Sequence, residues 1–293
     1  RPLKTGPFAN DRFGVKLYHR ERTTMTPDAI NNATEILANL RTRTNGQTSP
    51  LGDLPVTCRP ATLDDAYGIQ DALRLRLASQ GLGGQTGWKI GCTTLIMQEY
   101  LDIPHPCAGT LYQATTLENH ASLRAADYFQ LGLECEIAVR LAADITPGEV
   151  EHTPESVAQY VGAVMTSVEI VDHRFRDFTI AATPSLVADD FFSVGCVIGT
   201  AQRMEDLGDM TTLIGGFGLN GAKPEIRGTG DAILGHPMAA LAWLANHLSA
   251  RGQVLRAEHI ITLGSVVKTI YPEPGATIEA GFDRLVPVTL EIF

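Results

Sequence analysis

Apolar positions along this chain change their spacing near residue 84. Before that point they recur three and four residues apart: Ala29, Ile30, Ala33, Ile36, Leu37 and Leu40 follow Thr26-Pro27-Asp28, and Ala66, Ile69, Leu73 and Leu77 follow Thr62, Asp64 and Asp65. A threonine cap, acids in the first turn and, in the first case, a proline at the start predict two amphipathic helices. The polar run from Thr42 to Pro60 predicts a loop, and Gly81-Leu82-Gly83-Gly84 ends the second helix. Beyond it, short apolar runs alternate with turn residues, which predicts a region rich in strands.

Within that region Gly87 to Thr93, Leu133 to Leu141, Val164 to Val171, Val194 to Ile198, Ile260 to Leu263 and Val286 to Phe293 read as strands. Short helices are expected over Thr94 to Leu101 and from Thr153-Pro154-Glu155 through Tyr160. A longer one runs from Pro237 to Arg251, closed by Gly252, with Leu241, Leu244, Ala245 and Leu248 as its core stripe. Pro104-His105-Pro106-Cys107-Ala108-Gly109 reads as a rigid turn. The organisation expected is a flexible basic extension over 1–24, with six Lys or Arg against two acids, a helical cap over 25–84, and a strand-rich catalytic domain over 85–293.

A chain of 293 residues buries a sizeable core, and a 44% hydrophobic, 19% charged composition is that of a globular protein. No run of about 18 apolar residues offers a membrane span. The formal net charge of −10 argues against nucleic acid as a partner. Cys58, Cys92, Cys107, Cys135 and Cys196 are odd in number and widely spaced, which suits a reducing cytoplasm and excludes a zinc site of paired cysteines.

Against this background the acids inside the apolar runs stand out. Glu134 and Glu136 are two apart in a strand and so share a face. Glu169 lies in a second apolar run. Buried carboxylates need a cation or donors, and three of them without a cysteine or histidine pair suit a hard divalent ion, magnesium or manganese. The competing reading is that they face solvent on half-exposed strands. Lys89, between Trp88 and Ile90, is either desolvated and paired or snorkels to water at a strand edge, the second being the commoner fate. Asp172 and Arg174 fit a local ion pair.

The order of motifs resembles the fumarylacetoacetate hydrolase superfamily, in particular its 2-keto-4-pentenoate hydratase and 4-oxalocrotonate decarboxylase branch. The resemblance is carried by Gly-Trp-Lys89-Ile-Gly, Glu134-Cys-Glu136, Val-Glu169-Ile-Val-Asp172-His-Arg174, Val-Ala-Asp189-Asp190, the run from Leu234 to Asn246, and Glu273 to Ile278. It implies an α+β fold, a mixed β-roll with flanking helices and a helical N-terminal cap. It also implies that Glu134, Glu136 and Glu169 hold Mg2+ or Mn2+, with Lys89 beside them as proton carrier or electrostatic partner. Gly264 and Ser265 then offer donors to a substrate carboxylate, and Asp172 and Asp189 support the site from behind. The substrate implied is a small anionic 2-oxo acid, and the protein a cytoplasmic homo-oligomer of aromatic catabolism.

Two departures from the family pattern bear on mechanism. Pro106-Cys107-Ala108-Gly109 stands where hydratases of the branch often carry Pro-Asp-x-Gly, so an acid is missing and His105 becomes the candidate base. Asp190-Phe191-Phe192 is bulkier than the small residues usual after the first Asp. The function expected is a metal-dependent hydratase-like lyase acting on a short 2-oxo or 2-hydroxydienoic acid through a metal-stabilised enolate. The alternatives are a 2-oxo acid decarboxylase, a C–C bond hydrolase of 1,3-dicarbonyl compounds, or an inactive partner subunit.

Overall fold

The computed structural model describes residues 25–43, 49–222 and 226–293, and the basic extension expected over 1–24 lies outside them. Helices α1 (Pro27–Thr42) and α2 (Leu63–Leu77) begin where their caps predict. The Thr26 and Thr62 hydroxyls accept from the amides of Ala29 and Asp65, each cap contributing about 1 kcal/mol. The chain continues through β1 (Gln85–Gly91), α3 (Leu95–Tyr100), β2 (Cys107–Tyr112), β3 (Thr116–Glu118), β4 (His120–Leu123) and β5 (Leu131–Leu141). There follow α4 (Pro154–Ala158), β6 (Val161–Asp172), α5 (Thr183–Ala188), β7 (Ser193–Ile198), β8 (Ile214–Leu219) and β9 (Ile226–Thr229). Helix α6 (Pro237–Ala250) and strands β10 (Ile260–Ser265), β11 (Thr277–Phe282) and β12 (Val288–Ile292) complete it.

The strands form a seven-stranded sheet of order β2-β1-β10-β5-β6-β7-β3 and a five-stranded sheet of order β4-β12-β11-β8-β9. Both are mixed. The β1/β10, β3/β7 and β4/β12 pairs are parallel and the rest antiparallel. This is the α+β architecture the sequence predicts. One face of β5 and β6 packs against β8, β11 and β12, where the Cys135 thiol meets the Gly216 carbonyl. The larger sheet curls until β2 approaches β7, giving its other face a concave shape. Leu111, Ala138, Met165, Cys196, Ile198 and Ile260 form a small apolar cluster of their own, set apart from the main core. That main core is continuous from Leu37 and Leu73 on the helices to Trp88 and Val139 on the strands, across the boundary expected near Gly84.

Two expectations change. The turn foreseen from Pro104 to Gly109 stops at Pro106, because Cys107, Ala108 and Gly109 pair with Gly91, Ile90 and Lys89 as the start of β2. Every residue of β2 is buried, so it lacks the alternation that would have outweighed the turn residues. Helix α4 ends at Ala158 rather than Tyr160, since β6 starts at Val161. Among the described residues no helix is long and apolar enough to cross a membrane.

Candidate metal centre

Strands β5 and β6 are the long central pair, and their antiparallel register sets Glu134 directly opposite Glu169 and Glu136 opposite Ser167. Alternation turns Cys135 toward the second sheet and the carboxylates into the concavity. One oxygen from each of Glu134, Glu136 and Glu169 lies within 4.8 Å of the others. Ligands of a single ion with ~2.1 Å bonds stand roughly 3–4.2 Å apart, so small side-chain adjustments would close the set around a cation. Glu136 and Glu169 are each 1% exposed and Glu134 is half-buried. The reading of these acids as solvent-facing is therefore excluded for two of the three.

Each carboxylate is oriented by its surroundings. The Thr269 hydroxyl donates to Glu134 Oε1 at 2.6 Å, and the Gly264 amide to Glu136 Oε2 at 3.1 Å. That amide reaches inward because β10 is irregular between Thr262 and Ser265, with Gly264 at φ 112° and Thr93 packed where a Cβ would stand. Ser265, the other residue expected to receive substrate, has its hydroxyl between the Cys135 and Val267 carbonyls. Glu136 Oε1 and Glu169 Oε1 are buried without a hydrogen bond. Two such oxygens are costly unless a cation takes them.

Lys89 does not snorkel. It is 2% exposed, crosses the concave face to within 3.4 Å of Glu169 Oε1, and donates to the Phe191 carbonyl at 3.2 Å. Burial alone would lower the pKa of its ammonium, but Glu169 and Glu134 outweigh that and raise it. Burial and the neighbouring Glu169 raise the pKa of Glu134, and burial with Glu169 and Glu134 raises that of Glu136 well above the usual carboxylate range. Three carboxylates and one ammonium carry a formal charge of −2, which a dication neutralises. An all-oxygen donor set suits a hard one.

Behind the site the local Asp172–Arg174 ion pair expected from the sequence is not formed. Asp172 accepts from the Phe129 and Gln130 amides and pairs with Arg43, while Arg174 turns to Asp189 at 2.7 Å. Asp189 also binds Arg41 of α1 at 3.0 Å, and Arg41 reaches Asp190 at 2.8 Å. Nearness along the chain misled here, because β6 ends at Asp172 and the strand alternation that would set Arg174 on the same face does not continue past it. This buried network holds Asp190, Phe191 and Phe192, all three at positive φ (52°, 52° and 68°), a conformation costing about 1–2 kcal/mol per residue. The Phe191 carbonyl that receives Lys89 sits in the middle of that turn. Arg174→Met is expected to lower unfolding free energy by about 3–5 kcal/mol, read from the urea midpoint at constant m. A loss under about 1 kcal/mol would show that Arg41 alone suffices.

His105 lies elsewhere. Its Nδ1 is 2.7 Å from the Pro106 carbonyl and its ring packs on Trp243 of α6, which in turn stacks on His247. Cys107, at the position of the missing acid, is fully buried. Its hydrogen bond with the Cys92 thiol, together with burial, raises its pKa well above the ordinary value, so it remains a thiol at neutral pH. Sequence reasoning missed Thr269 and Arg41. Thr269 follows Lys268 in a stretch without strand periodicity, and Arg41 acts 148 residues from its partner.

A curled mixed sheet whose concave face gathers three carboxylates and a lysine is the architecture of an enzyme that uses a divalent cation on an oxygen-rich substrate. No family model matches the chain. It is 36% identical over 213 residues to the 2-hydroxyhexa-2,4-dienoate hydratase of Comamonas testosteroni, covering 71% of this chain and 78% of that one. With the 2-keto-4-pentenoate hydratase of Paraburkholderia xenovorans it shares 29% over 242 residues, 83% and 88% of the two chains. The structure of 4-oxalocrotonate decarboxylase from Pseudomonas putida G7, complexed with magnesium and adipate, superposes with a TM-score of 0.84 at 25% identity, covering 93% of this chain and all of that one. Fumarylpyruvate hydrolase from Pseudomonas aeruginosa, solved with Mn2+ and pyruvate, shares the fold at a TM-score of 0.55 and 11% identity, over 70% of this chain and 88% of that one. The chain belongs to the family of 2-keto-4-pentenoate hydratases and 4-oxalocrotonate decarboxylases.

Proposed function

We propose that this protein is a divalent-metal-dependent hydro-lyase that adds water to a short 2-hydroxydienoic or 2-oxo acid. The observation that carries the reading is the convergence of Glu134, Glu136, Glu169 and Lys89, with Glu136 Oε1 buried without a hydrogen bond and Glu169 Oε1 met by the Lys89 ammonium alone, at 3.4 Å. Mg2+ or Mn2+ held by the three glutamates would supply Lewis acidity to the carboxylate and adjacent oxygen of the substrate. Glu134, steadied by Thr269, and Glu136, steadied by Gly264, keep the donor set in place. Lys89, held charged between Glu169 and the Phe191 carbonyl, offsets negative charge developing on the substrate oxygen and can deliver a proton to it. Ser265 would turn its hydroxyl from the Cys135 carbonyl to the substrate carboxylate. Asp172 and Asp189 act at one remove, by holding the 129–130 segment and the turn that carries Phe191.

Decarboxylation and C–C hydrolysis share the same first step, and intact Lys89 and glutamates argue against an inactive subunit. Screening the purified protein with Mn2+ against 2-hydroxydienoates, oxalocrotonate-like acids and acylpyruvates, with product identification, separates the three. A product other than the hydrated 4-hydroxy-2-oxo acid would overturn the hydro-lyase assignment. Five buried free cysteines suit a reducing cytoplasm, and a homo-oligomer is the assembly we expect.

The proton that accompanies water addition still needs a carrier, and His105 is the proposed one; packed on Trp243 away from the glutamates, it would act through intervening water rather than by contact with the reacting atoms. Cys107→Ser is expected to keep most activity, because a thiol so far above its ordinary pKa is no base at neutral pH. His105→Ala is expected to lower kcat without changing Mn2+ affinity. Equal kcat for wild type and His105→Ala across the pH range would assign the imidazole to packing on Trp243 alone.

A further inference from the structure

An unbroken arc of rings runs from the lysine side of the metal centre to its Glu134 side. Phe191, whose carbonyl holds Lys89, also places its ring 5.4 Å from the Nζ. The Phe191 and Phe192 rings are 5.4 Å apart, edge to face. His173 stacks on Phe192 at 5.0 Å and 19°, and Phe178 closes on both at 5.8 and 6.0 Å. The Tyr271 hydroxyl is 3.0 Å from His173 Nε2. Its ring runs along β5 at Gly132, with Cε1 3.2 Å from where a Cβ would stand, beside the Thr269 that donates to Glu134.

The arc offers aromatic surface, its rings steeply tilted to one another except for the stacked His173 and Phe192, and no positive charge of its own. Burial lowers the pKa of His173, so its ring is neutral at physiological pH. The nearby cations are already engaged: Arg174 and Arg41 with Asp189, Arg41 also with Asp190, Arg43 with Asp172, and Lys89 with Glu169. Among the described residues, Lys268, the solvent-exposed neighbour of Thr269, and Arg176, exposed two residues before Phe178, are the neighbouring cations that remain. Phe191 and Phe192 are nearly buried, whereas Tyr271 is 47% exposed, so the arc leads from the centre outward. A tail extending from the site would meet aromatic carbon, ring edges and faces alike, which favours an apolar or aryl group. A second carboxylate there would lose water against aromatic carbon and find no cationic partner within the arc, only the one phenol or imidazole hydrogen that the Tyr271–His173 hydrogen bond leaves over.

From this juxtaposition, and resting on the 2-oxo acid reading of the centre, we infer that the enzyme selects acids whose far end is uncharged and apolar or aryl, against those ending in a second carboxylate. Phe192, His173 and Tyr271 are the residues that set this preference. They contact the tail rather than the reacting atoms.

Calorimetry on the full chain loaded with Mg2+ tests the inference with 2-oxo-4-phenylbutanoate, 2-oxohexanoate and 2-oxoadipate. The last two share a six-carbon chain and differ only in a terminal methyl or carboxylate. The aryl acid is expected to bind tightest and 2-oxoadipate weakest, with at least about a tenfold gap between the extremes. Tyr271→Ala, a change at an exposed ring, should narrow that gap while pyruvate and Mg2+ affinities hold, and Phe192→Ala should narrow it further. Lys268→Ala should leave the order unchanged. Binding of 2-oxoadipate as tight as the aryl acid, or a gap untouched in both aromatic variants, overturns the inference while sparing the 2-oxo acid reading. Absence of binding by all three acids and by pyruvate would remove that reading, and the preference with it.

Discussion

Glu136→Gln is expected to lose more than about 100-fold in Mn2+ affinity, and with it measurable turnover, while the protein stays folded. The expected loss exceeds what outer-shell changes cost, about 10–100-fold, because a charged ligand is removed outright. Glutamine keeps the shape of the side chain, and its amide oxygen still accepts from the Gly264 amide, so the irregular turn of β10 is retained. Removing one of three mutually repelling carboxylates should hold or raise the melting temperature of the metal-free protein. What disappears is the gain on adding metal, which for wild type at 100-fold excess over Kd is about 2.7 kcal/mol. Titration calorimetry and paired melts decide the matter. Unchanged Mn2+ affinity in the variant would remove the metal from β5.

The second large effect concerns Lys89, for which Lys89→Met should lower kcat by about 10²–10⁴-fold, the usual contribution of an acid–base group. Methionine fills much of the same volume, and Mn2+ affinity should hold or increase, since a cation beside the centre opposes a second one. The two states of the protein should diverge in stability. Without metal, three carboxylates are left with no compensating charge and the melting point falls; with metal it is restored. A purely structural lysine would lower both alike. A near-normal kcat in the metal-loaded variant would end the catalytic assignment.

How much of this was legible in the sequence depends on the reach of each interaction. Glu134, Glu136 and Glu169 were readable because strand periodicity is local and a charge inside an apolar run is conspicuous. The caps at Thr26 and Thr62 were equally plain. The environment of Lys89 was not, since its burial arises from the curl that brings β1 over β6, a property of the whole sheet. The ion network was hidden for the same reason: Arg174 sits two residues from one aspartate and fifteen from its partner. Strand β8, Ile-Gly-Gly-Phe-Gly-Leu, carries no strand signal in the sequence because glycine disfavours strands. It is an interior strand because Phe282 presses on Gly215 and the backbone of β9 on Gly216, leaving no room for a Cβ at either. The left-handed turn at Asp190-Phe191-Phe192 carried no signal, as its residues are poor choices for that conformation and are held in it by distant arginines.

The opposition of Glu134 to Glu169 across β5 and β6 has a bearing on how the chain assembles. Side chains alternate with a period of two, so a slip of one residue between these strands would swing Glu134 and Glu136 off the concave face into the apolar gap between the sheets and bring Cys135 into their place. No cation could be chelated from that arrangement. A refolded sample that takes up one equivalent of Mn2+ with native affinity therefore has its two central strands in the correct alignment. Metal uptake becomes an assay of folding fidelity at the centre of the sheet, usable before any substrate has been found.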